Sequence, residues 1–145
     1  MVYFRLFGFT HRQTTRELSD LLDFPVSADV VIEIPDDEYL DSQLDYFWGE
    51  ISTTRHDSSI LRHSSEIHNP TIRYFHMLLS FSFFGKPQND TLVSKEELFI
   101  MFCVFRSRPV IGTSFMLARL LSIAQAPHGP ISVGVLVTMI ASALF

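Results

Sequence analysis

Apolar residues recur at helical spacing through most of the chain, and helix-start and helix-stop residues divide that pattern into segments. Thr14 and Glu17 form a capping-box pair, and Leu18, Leu21 and Leu22 follow at helical spacing until Phe24-Pro25 ends the element. A second helix is predicted over 42–51, with Leu44, Phe47, Trp48 and Ile51 on one face. Asn69-Pro70 places an N-cap before a proline at the first helical position, and a long helix is expected from there to Phe84, stopped by Gly85. Lys86 to Asp90 reads as a turn. Ser94 and Glu97 form a second capping box, which opens a helix to about Arg106. Pro109 breaks the chain, a further helix is predicted over 113–125, and Ala126 to Pro130 is another break. The last helix starts near Gly134. Two segments resemble strands. Residues 2–9 alternate imperfectly, and 30–34 is rich in β-branched side chains before Pro35 stops it.

The expected fold class is therefore mainly α, a compact helical domain with candidate short strands near 2–9 and 30–34. Three regions are expected. Residues 1–51 form a mixed N-terminal segment packing on the main domain, and 52–66 form a polar, mobile connection rich in serine and threonine. Residues 67–145 form the helical main domain. Leu144 and Phe145 carry no helix-ending glycine or cation, so the main domain is expected to be truncated at the C-terminus, leaving Val135, Leu136, Ile140, Leu144 and Phe145 short of partners.

Composition narrows the function classes. The 145 residues suit one domain, and a chain that is 47% hydrophobic and 19% charged can build a core. Fourteen phenylalanines make that core easy to fill, and any part left uncovered would form apolar patches. The net charge of −5 disfavours a general nucleic-acid binder. Arg106 and Arg108 are the closest cationic pair, and the His- and Arg-bearing stretch 55–73 is the alternative nucleic-acid surface. The single cysteine, Cys103, lies in the apolar run 98–105. It excludes an internal disulfide and reads as a small buried hydrophobe. The start lacks the pattern of a secretory signal, so an intracellular setting is expected and Asn89-Asp90-Thr91 reads as a turn rather than a glycosylation site. The uncharged run 131–145 is shorter than the ~18–20 residues a membrane span needs, so a buried helix is preferred and a membrane anchor is the alternative.

The search for chemistry yields no catalytic, cofactor or metal site. Asp36, Asp37 and Glu38 are adjacent and read as a solvated loop. The six histidines, at 11, 56, 63, 68, 76 and 128, make no metal motif and read as surface or capping residues. Phe84-Gly85-Lys86 is a lone Gly-Lys with no Ser or Thr after it and so a weak match to a phosphate cradle, and the 113–125 helix has one cation, Arg119, among apolar residues, so it reads as a packing helix rather than a DNA reader.

Several segments taken in order carry a resemblance. They are Thr15 to Pro25 (TRELSDLLDFP), His68 to Leu79 (HNPTIRYFHMLL), Phe84-Gly85, Val93 to Phe99 (VSKEELF), Gly112 to Leu120 and the 131–144 run. The series resembles the first open-reading-frame protein of Athila-type plant retrotransposons over roughly 15–145. The resemblance implies a Gag-like structural product, or a degenerate remnant of one, and brings no catalytic residues. Protease, reverse transcriptase, integrase and zinc-knuckle signatures are missing from this sequence. A non-catalytic assembly module with self-association is therefore expected.

Overall fold

A computed structural model of the chain describes residues 1–23, 34, 38–53, 61–110, 112–126 and 134–144. Strands β1 (Val2–Leu6) and β2 (Phe9–Gln13) pair antiparallel, from Leu6 opposite Phe9 to Val2 opposite Gln13. The expected strand over 2–9 is thus the first arm of a hairpin. Its connection is two residues, Phe7 and Gly8, with φ of 49° and 87°. Two positive φ values give the mirror-image turn whose twist matches that of paired strands. Gly8 accepts this freely, whereas Phe7 carries the cost of a side chain in the left-handed region. Val2, Phe4 and Leu6 face inward and are half-buried, while Tyr3 and Arg5 face out. The 30–33 part of the second candidate strand lies outside the described residues.

Helix α1 (Thr15–Leu21) starts at the expected capping box: Thr14 Oγ1 accepts from the Glu17 N–H at 3.1 Å, and Glu17 accepts from the Thr14 N–H at 2.7 Å. Helix α2 (Glu38–Ile51) begins earlier than the pattern suggested and buries Leu40, Leu44, Phe47, Trp48 and Ile51 along one face. Of the polar connection, 54–60 lies outside the described residues. Its two described ends are bonded to each other and to the next loop: Thr53 donates to the Glu66 carbonyl and Ser64 to that of Thr91, and Val93 donates back to Arg62.

Helix α3 (Pro70–Leu78) is capped by Asn69, whose Oδ1 accepts from the Thr71 N–H at 2.9 Å. The helix then widens into a π-helical turn over Leu79–Phe83, and Gly85 stops it with φ of 58°. Helix α4 (Lys95–Phe105) starts at the second capping box, and α5 (Gly112–Gln125) and α6 (Gly134–Leu144) complete the chain.

The apolar side chains gather in two clusters. The first joins α2, α3 and α4 around Trp48, Ile67, Leu98 and Met101, and takes Phe115 from α5. The second sets Leu18 of α1 and Leu22, which caps that helix, against Met116 and Leu117 of α5 and Ile140 of α6, with the inner face of the hairpin over them. Phe83 packs against both. Ile140 and Leu144, expected to lack partners, find them in this second cluster. Helix α1, from the far end of the chain, supplies these partners, while the side chains of Val135, Leu136 and Phe145 lie outside the described residues. A hydroxyl bond of 2.7 Å between Ser19 and Thr113 fixes how α1 meets α5.

Two stability tests follow from these positions. Replacing Phe7→Asn should stabilise the chain by about 0.5–1 kcal/mol, because asparagine tolerates the left-handed turn. Leu98→Ala should destabilise it by about 2–5 kcal/mol, because the side chain is fully buried. Urea denaturation of both variants checks the two signs.

Candidate functional site

Among the described residues, buried titratable groups converge where α3, the turn after Gly85 and the start of α4 meet. Glu97 is the third residue of α4 and belongs to its capping box, with Ser94 Oγ accepting from its N–H at 3.2 Å. The same position turns its side chain into the protein, where it is fully buried. Oε1 accepts from Ser80 Oγ at 2.5 Å. Oε2 accepts from Lys86 Nζ at 2.8 Å and from the Ser94 N–H at 2.7 Å, and lies 3.4 Å from His76 Nε2.

His76 and Ser80 are both buried and stand one helical turn apart, 3.1 Å between Nε2 and Oγ. The Ser80 hydroxyl proton goes to Glu97, so Ser80 accepts from His76, and the imidazole carries its proton on Nε2. Nδ1 is buried without a partner among the described residues. Lys86 also donates to the Leu92 carbonyl at 2.8 Å and so closes the 86–92 turn.

Burial pushes the Glu97 carboxyl up. The bonds from His76, Lys86, Ser80 and the Ser94 backbone outweigh it and hold the group at about 2, below its ordinary 4.5. A carboxylate held ionised by that many donors is a fixed anion that ties three segments together. Its proton affinity is far from that of a group exchanging protons near neutrality.

His76 is a correction: it was expected at the surface or as a cap, and it is buried against Glu97. His63 and His68 are exposed, and His11 is half-buried and stacks on Phe4. His56, His128, Asp36 and Asp37 lie outside the described residues. Lys86 is engaged internally, so its ammonium is already neutralised by Glu97. Cys103 is buried, and burial pushes its thiol up to about 11 although Arg108 acts the other way. In the 55–73 stretch, Arg62 pairs with Asp45, and Arg73 donates to the Ile67 carbonyl.

Arg106 and Arg108 both lie over the Phe102 ring, at 5.9 and 5.3 Å from its centre, and Arg106 pairs with Glu50 at 2.9 Å. With Ser42, Gln43 and Tyr46 they line a shallow cavity of about 290 Å³. A second cavity, of about 240 Å³, adjoins Lys86 and Arg119. Arg119 donates to the Phe84 carbonyl at 3.0 Å, and α5 buries Phe115, Met116 and Leu117, as a packing helix does. Among the described residues no group of three or more metal-ligating side chains converges, and no helix is long and apolar enough to cross a membrane.

The Glu97 cluster was not found from sequence. The capping box marked Glu97 as a local partner of Ser94, and nothing nearby marked its long-range partners. His76 and Ser80, spaced i and i+4 and both polar on a face otherwise shared by Ile72 and Leu79, were the available signal.

The sequence model described as the ATHILA ORF-1 family matches residues 1–105. No curated protein and no solved structure matches the chain.

Removing the charge at Glu97 tests the cluster. Glu97→Gln leaves the largely enclosed Lys86 ammonium without its counter-ion and should cost about 2–4 kcal/mol. The native carboxyl lies below its ordinary value, so its stabilising effect is complete above pH 4.5 and is lost as pH falls through about 2. Urea denaturation across that range should show a steeper acid loss for the native chain than for the variant.

Proposed function

Because the chain belongs to the ATHILA ORF-1 family, we propose that this retrotransposon-derived protein is a Gag-like structural module whose work is protein–protein assembly rather than catalysis. The observation that carries the reading is the hairpin, which holds Tyr3, Phe7 and Phe9 at 64%, 76% and 65% exposure. Exposed aromatic side chains gathered on one small element are characteristic of surfaces that receive a protein partner. The charged groups support the same reading from the other side. Lys86, Arg62 and Arg73 are engaged in holding the fold, which leaves them unsuited to polyanion binding.

Membrane anchoring through 131–145 has less support, since α6 is 11 residues long and turns Ile140 into the second cluster. Light scattering coupled to chromatography, without detergent and over a range of loading concentrations, tests the assembly reading. The expected outcome is a mass that rises with concentration to a defined oligomer. A monomer throughout would overturn it.

A further inference from the structure

Among the described residues the sheet has two strands and no third. The two-residue turn makes Leu6 and Phe9 a hydrogen-bonded pair, so Leu6, Phe4 and Val2 direct their backbone groups to β2. Tyr3 and Arg5 alternate with them and direct theirs outward, along an edge of β1 that is free among the described residues. A free edge is a template for another strand.

That edge is complementary to itself. If β1 meets a second β1 antiparallel with Phe4 at the two-fold axis, Tyr3 stands opposite the partner's Arg5, and Arg5 opposite the partner's Tyr3. Both are hydrogen-bonded pairs in that register, each exchanging two backbone N–H···O bonds. On the inner face Val2 meets the partner's Leu6, and Phe4 meets the partner's Phe4. These apolar side chains are only half-buried in the single chain, so pairing extends a packing surface that is already there. On the outer face each Tyr3 ring receives a guanidinium. Within the hairpin that ring already has Arg12 at 5.9 Å from its centre, and the partner's Arg5 would approach from the opposite edge. The same operation on β2, centred on His11, sets one imidazole against another and gains no complementary pair.

We propose that β1 is a homotypic docking strand, whose occupant is β1 of a second copy in the register centred on Phe4; this rests on the assembly reading above and locates its surface. The strand is short, so the pair is weaker than the interfaces of about 1,000 Å² or more that hold stable dimers. Association in the micromolar-to-millimolar range is expected, strengthened wherever copies are concentrated.

Sedimentation equilibrium of the full chain and of two variants tests the register. Tyr3→Pro removes an outward N–H and leaves the hairpin's own bonds intact, and it should weaken dimerisation about tenfold or more. Tyr3→Glu deletes an exposed ring but sets a carboxylate opposite the partner's Arg5, and should dimerise within about threefold of the native chain. Circular dichroism confirms that each variant folds. If Tyr3→Pro does not fold, Arg5→Glu takes its place, with about a threefold to tenfold weakening expected. Equal association of the native chain and the blocked variant overturns the β1 edge while the assembly reading stands. Loss of association in Tyr3→Glu as severe as in the proline variant overturns the register in favour of general apolar contact. A native chain that stays monomeric overturns both.

Discussion

A carboxylate fully enclosed by protein is tolerable only if donors surround it, and Glu97 imposes that demand on its neighbourhood. Ser94 must cap α4 and supply its N–H, Lys86 must fold back from the turn after Gly85, and Ser80 and His76 must face inward from the end of α3. The π-helical turn that begins at Leu79 includes Ser80, and the Lys86 N–H closes on the Ser80 carbonyl at 2.8 Å. The path of the chain from α3 to α4 is thus set by one charge and its four contacts. Leu79, Val93 and Leu98, the chain neighbours of Ser80, Ser94 and Glu97, are buried in the first apolar cluster, which keeps water from replacing those donors.

Charge and aromaticity are distributed in an unusual sense. Several ionic groups that a binding surface could display are turned into the fold, while tyrosine and phenylalanine stand outside it on a hairpin. An isolated hairpin is marginally stable in water. This one is held by the apolar cluster beneath it and by the capping box that joins its second strand to α1. The exposed rings therefore sit on an element that is fixed from below rather than on a loose tail.

How legible this was in the sequence depended on distance along the chain. Caps, stops and amphipathic faces are local, and Thr14, Asn69, Gly85 and Ser94 marked their elements correctly. The second strand was missed because Phe9 to Gln13 (FTHRQ) is mostly polar and lacks a clean alternation, so pairing with β1 rather than propensity makes it a strand. Burial of His76 depends on Glu97, 21 positions later, and no local pattern announces such a partner. The same reason hid the fate of α6, whose apolar face is met by α1 from the far end of the chain. The Glu97 cluster was half visible, as a cap, since one side chain serves both a neighbour and a distant partner.

Helix α5 turns Phe115 to one apolar cluster and Met116 and Leu117 to the other, so it has two insides. The family match ends at residue 105, before this helix begins. The hairpin and α1, well within the match, nevertheless lean on it. A lineage drifting in sequence can rewrite α5 freely only at positions such as Ala118 and Ser122. At its buried positions a substitution on one side must be answered in α1 and on the other in α4, so the end of the family match is not an edge of the packing.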